Sequence, residues 1–392
     1  MTEHDRNDLT HELYDPHRRQ FLGAMALAAG TAGLMAVGPA GAMAPAAAPA
    51  PAGGPPAAPN PFANPYSAPL RELKGKTAYV TGASSGIGLG IARAAYNAGM
   101  NVIVGYIDDT QIDGAMALFP DKTRAMSYKH DVTDRAAWPG LVKAAEDRFK
   151  RVHLLVNNAG VGARAEVGTA TFNDYDWAMG VNVGGVFNGI NAFLPRMRQY
   201  GEGAHIVTTS SMSGILPGGR LGIYTASKFA AAGMMEALRL EVDGSNVGCS
   251  VYLPGGVSTN IGRSELYRPE TLRNPGQSAP NAPPTRPQAP AAAGPAAPPS
   301  APAAGAPPIN VNAGMDPLEA GECVLEGVRN NDLFIFSHPE FAFGIRERFE
   351  CVMASIPVGR SVPPTRLAIE RVTMRVPLYA VETSKLQANP RR

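Results

Sequence analysis

The sequence predicts an α/β fold, a doubly wound parallel sheet of about seven strands with helices on both faces. Seven short apolar runs recur between residues 76 and 336, amphipathic helical patterns separate them, and the first run passes straight into a glycine-rich turn and a helix. Alternation of this kind is the sequence form of βαβ units, and right-handed crossovers place the helices on both faces.

The strands expected, in order, are "KTAYVT" from Lys76, "NVIVGY" from Asn101, "RAMSYKH" from Arg124, "HLLVN" from His153, "AHIVTTS" from Ala204, "VGCSVYL" from Val247 and "LFIF" from Leu333. They are rich in β-branched and aromatic residues, as strands buried on both faces should be. Segments such as "GLGIARAAYNAG" and "KFAAAGMMEALRLEV" carry the helical period. No internal repeat points to a solenoid.

Composition bounds the function. The 392 residues are 45% hydrophobic with a formal charge of +2, which permits a full core and argues against a nucleic-acid partner or an anionic membrane surface. Cys249, Cys323 and Cys351 are widely spaced without CxxC or His/Cys clusters, so buried thiols are expected and no metal site.

Residues 1–44 read as a targeting segment: a polar start, an apolar run from Phe21 to Val37 and an A-x-A site at Ala42-Met43-Ala44. Arg18 and Arg19, followed by Gln20-Phe21-Leu22, resemble a bacterial twin-arginine (Tat) signal. That resemblance implies export to the periplasm, with the Tat translocase as partner. Residues 45–69 form an Ala/Pro-rich linker, and a domain is expected over 70–355 with a C-terminal tail over 356–392. A Pro/Ala-rich disordered insertion over 266–313 interrupts it, since residues 275–308 alone hold 12 Pro and 12 Ala and cannot offset their ordering entropy.

The chemistry begins at "TGASSGIG", Thr81 to Gly88. Glycines allow a sharp turn and close approach to a pyrophosphate, while the following helix N-terminus supplies N–H donors and the positive end of its dipole. Further on come "HDVTD" after the third strand, "NNAG" after the fourth, Asn182 in "VNVGGVFN", Ser211 in "TTSSMSG", "YTASK" with Tyr224 and Lys228, and "PGGVST" after the sixth strand. Tyr224 and Lys228 are four residues apart, so a helix puts both on one face. An ammonium beside a phenol favours phenolate and is expected to lower the tyrosine's pKa from its usual value of about 10.

In this order and spacing, over most of residues 72–265, the motifs resemble the short-chain dehydrogenase/reductase family and its Rossmann-type fold. The resemblance implies Tyr224 as general acid/base, Ser211 holding the substrate oxygen, Lys228 also holding the nicotinamide ribose, and Asn182 anchoring a relay water. Ser211 is preferred over Ser210 and Ser213 by its thirteen-residue offset from Tyr224. The resemblance also implies NAD(P)(H) as cofactor, held by Gly82, Ser84, Ser85, Gly86, Ile87 and Gly88, by Asp131 and Val132, by Asn158, Ala159 and Gly160, by Tyr224 and Lys228, and by Pro254, Gly255, Val257 and Thr259.

The place of the family's ribose-binding acid falls on Tyr106, with Asp108-Asp109 just beyond, and the basic markers of NADP use are missing at Ser85 and Ile107, so NAD is favoured over NADP. The expected reaction interconverts a secondary alcohol and a ketone. Met212, Ile215, Leu216, Pro217 and Leu221 suggest a hydrophobic substrate. Family analogy implies a homo-oligomer, a dimer or tetramer. The alternatives are an extended-branch epimerase or dehydratase, and a non-catalytic NAD(P)-binding sensor or scaffold.

Overall fold

The computed structural model describes residues 68–276, 314–373 and 378–388. The expected signal segment, nearly all of the linker and residues 277–313 of the expected insertion lie outside the described residues. The chain divides into two units, one comprising 60–361 with 385–392, the other including Val362–Ser384. Within the second unit lie α9 (Pro364–Thr373) and most of α10 (Leu378–Ala388).

The first unit carries one seven-stranded sheet of β1 (Thr77–Val80), β2 (Asn101–Tyr106), β3 (Ala125–Lys129), β4 (Leu154–Asn157), β5 (Ala204–Thr209), β6 (Val247–Leu253) and β7 (Phe334–Phe336). Their order is β3-β2-β1-β4-β5-β6-β7, every pairing parallel. All seven lie within the runs picked out by β-branched composition. Strands β1, β4, β5 and β6 are buried along their whole length, which is why these runs are continuously apolar rather than alternating.

Helices cover both faces. On one, α1 (Gly86–Asn97) and α7 (Pro317–Asn330) bury Ile91, Tyr96, Val324 and Leu325 in a single cluster. These two helices meet closely because Gly90 and Gly321 lack side chains: a Cβ on Gly90 would lie 1.7 Å from the Pro317 carbonyl oxygen. On the other face, α3 (Trp138–Phe149), α5 (Gly185–Tyr200) and α6 (Gly222–Glu241) bury Leu141, Phe193, Met197, Met235 and Leu238, each worth about 1.5–3 kcal/mol of transfer free energy.

Short α2 (Asp109–Ala117) follows β2, and α4 (Phe172–Met179), started by a Thr171–Asp174 capping box, runs through a π-turn at Gly180–Gly184 into α5. The exposed α8 (Ala342–Ala354) follows β7. No helix among the described residues is long and apolar enough to cross a membrane.

Two expectations change. Residues 266–276, assigned from composition to the disordered insertion, are placed and packed: Arg268 is buried and pairs with Asp174 of α4 at 2.7 Å. This stretch precedes the dense Pro/Ala tract and carries side chains that find partners. Of the three cysteines, all free thiols, only Cys249 is fully buried; Cys323 is half-buried and Cys351 exposed, because they lie on the outer faces of α7 and α8.

Candidate active site

Strand order reverses between β1 and β4, which send their following segments to opposite sides and leave a crevice at the carboxyl ends of the strands. A cavity of about 500 Å³ lies there. Its walls come from the segments after β1 to β6 and from residues 259–272.

The turn after β1 is shaped for a phosphate group. Gly82 and Gly86 adopt φ of 60° and 53°, the left-handed region, and a Cβ on Gly88 would lie 2.3 Å from the Gly82 carbonyl oxygen. Helix α1 starts immediately after Ser85, whose side chain does not cap it, and no acidic residue occupies its first turn. Its leading N–H groups are thus left for an anion.

The "NNAG" stretch braces this turn. Thr81 Oγ1 accepts the Asn158 and Ala159 N–H groups, both at 2.9 Å, while Asn158 Nδ2 donates to the Thr81 and Gly82 carbonyls at 3.1 and 3.3 Å. The amide nitrogen of Asn158 is therefore spent on the turn.

Around the opposite end stand the catalytic candidates. Ser211 caps the 3-10 turn Met212–Gly214 by accepting the Ser213 N–H at 3.1 Å, and its hydroxyl acts on the Tyr224 phenol. Ser210 is excluded from such a role: its hydroxyl is buried and donates to the Lys228 carbonyl at 2.8 Å. Lys228 is 3% exposed; its Nζ donates to the Thr209 carbonyl at 3.0 Å and lies 5.6 Å from the centroid of the Tyr224 ring. Gly160 keeps the space beside this ammonium open, since a Cβ there would stand 3.3 Å from Nζ.

The electrostatics correct the sequence expectation. Burial pushes the Tyr224 phenol above its usual value, opposed by the Ser211 hydrogen bond, and burial pushes the Lys228 ammonium down to about 8. Removal from water costs the phenolate more than the ammonium at this distance returns. The phenol is therefore protonated at neutral pH and available as a proton donor.

Ser84, Ser85, Gly86, Ile87, Asp131, Val132, Asn158, Ala159, Gly160, Pro254, Gly255, Val257 and Thr259 line the cavity together with Gly82, Ser211, Tyr224 and Lys228. Gly88 and Asn182 do not. Gly88 acts behind the turn, and Asn182, 1% exposed in the π-turn, accepts the Val161 N–H at 2.8 Å and donates to the Val161 carbonyl and Ser227 Oγ. Both amide hydrogens of Asn182 are engaged, so from behind the wall its side chain fixes the lining residue Val161 and has no donor left for a water.

The apolar residues expected to flank a substrate, Met212, Ile215, Leu216, Pro217 and Leu221, are not in the cavity lining; Met212 is buried in the core, where Ile215 and Leu216 pack against it. Val161, Trp177, Val181, Ile261, Pro269 and Leu272 supply the apolar wall instead. Thr209, whose buried Oγ1 has no hydrogen-bond partner, also lines it. Its position two residues before Ser211 was the available signal. Gln111 and Tyr267 had none, being 156 residues apart in the chain.

These features match known proteins. Residues 76–268 fit the family model described as short chain dehydrogenase. A Cα-dehydrogenase from Sphingobium sp. is 28% identical over 296 residues, covering 75% of this chain and 90% of that protein. A 3-alpha-(or 20-beta)-hydroxysteroid dehydrogenase from Mycobacterium bovis is 34% identical over 188 residues, 48% of this chain and 71% of that protein. A short chain dehydrogenase/reductase from Burkholderia phymatum, solved in complex with NAD, superposes with a TM-score of 0.62 at 31% identity, covering 74% of this chain and 99% of that one. A glycine turn that leaves a helix N-terminus uncapped, a tyrosine and lysine on one helix face and a serine against the phenol therefore occur here in a member of the short-chain dehydrogenase/reductase family of oxidoreductases, to which this chain belongs.

Proposed function

We propose that the protein is an NAD(P)-dependent oxidoreductase interconverting a secondary alcohol and a ketone on a hydrophobic small molecule. The observation that carries this is the convergence of the Tyr224 phenol, the Ser211 hydroxyl and the Lys228 ammonium on the wall of a cavity that the glycine turn also lines.

The residues present fit a dinucleotide. A Cβ would crowd Ala159 from Gly82, Thr259 from Gly86 and the turn itself from Gly88, and Thr209 Oγ1 is an orphaned buried group at the reacting end. Gly82 to Ile87 would hold the pyrophosphate, Asp131 and Val132 the adenine, Gly160 and Lys228 the nicotinamide ribose, and Pro254 to Thr259 the nicotinamide side. A bound nicotinamide supplies a carbon that accepts or gives hydride. The protein's own part is orientation and proton handling. Ser211 holds the substrate oxygen, Tyr224 donates its phenolic proton to that oxygen in reduction and takes it back in oxidation, and Lys228 offsets the charge left on the phenolate.

NAD is favoured over NADP because Lys228 is the only lysine or arginine among the described lining residues, whereas Asp108 lies just beyond β2. The apolar wall of Val161, Trp177, Val181, Ile261, Pro269 and Leu272 favours a hydrophobic substrate. The arginine pair and A-x-A site support Tat export to the periplasm, a route that carries folded proteins and lets the dinucleotide load first. A homo-oligomer is proposed by family analogy.

The test is to denature purified protein, identify any dinucleotide released by mass, and use it to screen secondary alcohols and ketones for changes in reduced-nicotinamide absorbance. Nicotinamide-linked turnover on such a pair is expected. Absence of dinucleotide binding would overturn the reading.

A further inference from the structure

Residues 261–272 cross the cavity as a strap of two 3-10 turns, Ile261–Tyr267 and Glu270–Leu272. Arg268 fastens it from beneath: its guanidinium donates to Asp174 at 2.7 Å and to the Leu272 carbonyl at 2.7 Å, and lies 4.8 Å over the Trp177 ring. A second fastening joins the neighbouring residue to the far side of the site. The Tyr267 hydroxyl donates to Asp108 Oδ2 at 3.0 Å and accepts from Gln111 Nε2 at 2.6 Å.

Asp108 stands just past β2, at the end of the crevice where a dinucleotide's adenosine ribose is received. Its carboxylate is already filled. Oδ1 accepts the Thr110 N–H and hydroxyl at 2.9 and 2.7 Å, and Oδ2 accepts Gln111 Nε2 at 2.7 Å and Tyr267. The carboxylate fixes the orientation of the Gln111 amide, because the flipped amide would set its carbonyl oxygen against the negative charge. That leaves Gln111 Oε1, a buried acceptor on a lining residue, with no hydrogen bond. A buried acceptor without a donor is costly and points to a group that arrives with the ligand.

We propose that Tyr267, Gln111 and Asp108 form a clasp that holds the strap shut over the adenosine end of a bound dinucleotide, with Gln111 Oε1 accepting a ribose hydroxyl, so that the dinucleotide stays on the enzyme between turnovers. This rests on the dinucleotide reading above. Two of the three bonds in the clasp end on a carboxylate and are correspondingly strong. Release past the strap requires Tyr267 to leave Asp108 and Gln111 together. A ribose hydroxyl satisfies Gln111 Oε1 by donating to it, whereas a 2′-phosphate would bring negative charge against a carbonyl oxygen and the adjacent carboxylate.

The test is to load the full-length protein with NADH, chase with excess NAD and follow the loss of bound-nicotinamide fluorescence. Wild type is expected to release NADH over minutes, and Tyr267→Phe about ten to a hundred times faster, the worth of one hydrogen bond to a charged group, with an unchanged association rate and an unchanged melting temperature without ligand. Gln111→Met, which removes both the clasp donor and the ribose acceptor, is expected to accelerate release at least as much. Release from wild type within a second, or release from both variants within twofold of wild type, overturns the clasp and leaves the oxidoreductase reading standing. Failure of wild type to bind either NAD(H) or NADP(H) overturns both.

Discussion

The Lys228 ammonium lies 5.6 Å from the centroid of the Tyr224 ring and is held there by the Thr209 carbonyl, not by the phenol itself. The lysine therefore acts on the tyrosine through space, across a gap inside a desolvated wall. Ser211 is the side chain that opposes the upward push of burial on the phenol.

Tyr224→Phe should abolish the proton transfer while keeping the ring's packing. Turnover is expected to fall by about 10²–10⁴, the usual contribution of a positioned acid/base, with dinucleotide affinity within about twofold of wild type. Steady-state kinetics beside an equilibrium titration check this. Substantial turnover by the variant would remove Tyr224 from the acid/base role.

Lys228→Met should separate stability from activity. Burial holds the folded ammonium at about 8 against 10.5 for an exposed lysine, so the folded state binds fewer protons between those values. This lysine's stability cost is therefore complete at pH 7 and fades as pH rises from about 8 to 10.5. The depression corresponds to about 3 kcal/mol, offset in part by the lost hydrogen bond to Thr209, worth about 1 kcal/mol. The variant is expected to melt higher than wild type at pH 7, with the gap closing above pH 10, and to bind NAD(H) more weakly and turn over poorly. A lower melting temperature at pH 7 would contradict the account.

Gly88→Ala should spread the glycine turn, because the new Cβ would sit 2.3 Å from the Gly82 carbonyl oxygen and 2.5 Å from Asn158 Nδ2. Overpacking of this kind costs about 1–3 kcal/mol, and dinucleotide affinity should drop by about the same free energy, about 5- to 150-fold. Calorimetric titration with NAD against the melting temperature distinguishes a local effect on the turn from general unfolding.

Arg268→Met should free the strap. Burial pushes the Asp174 carboxyl up, but hydrogen bonds from Thr171, Arg268 and Asn274 outweigh it and hold it at about 2, so its stabilising contribution is complete above about pH 4 and is lost as pH falls through 2. Removing the guanidinium leaves that carboxylate short of donors at about 3–5 kcal/mol if the strap stays docked. Local opening is the cheaper response. Limited proteolysis should cut residues 261–276 at least tenfold faster, in line with that penalty, while the sheet core keeps its melting temperature.

On the proposed Tat reading, in which a receptor recognises the arginine pair, Arg18→Lys together with Arg19→Lys is expected to leave active protein in the cytoplasm. Fractionation of cells producing the full chain checks it. Continued export of the double variant would reject a Tat signal.

Features carried by neighbouring residues were legible in the residue order. All seven strands were legible as short runs bounded by turn residues, and four of them, β1, β4, β5 and β6, are buried along their whole length. The glycine turn and the Tyr224–Lys228 pair were legible because a tight turn and one helical turn each act within a few residues. The rest depends on the assembled fold. The direction of the Tyr224 shift depends on how much water the assembled wall removes, which no spacing records. Both serines line the cavity, but the Ser210 hydroxyl is spent on the Lys228 carbonyl eighteen residues on, which leaves Ser211. The apolar lining of the cavity comes from Ile261 and Leu272, not Leu216 and Leu221, and Tyr267 met Asp108 across 159 residues. Those contacts exist only once the parallel crossovers have brought the carboxyl ends of the strands to one edge, where residues distant in the chain share a single cavity.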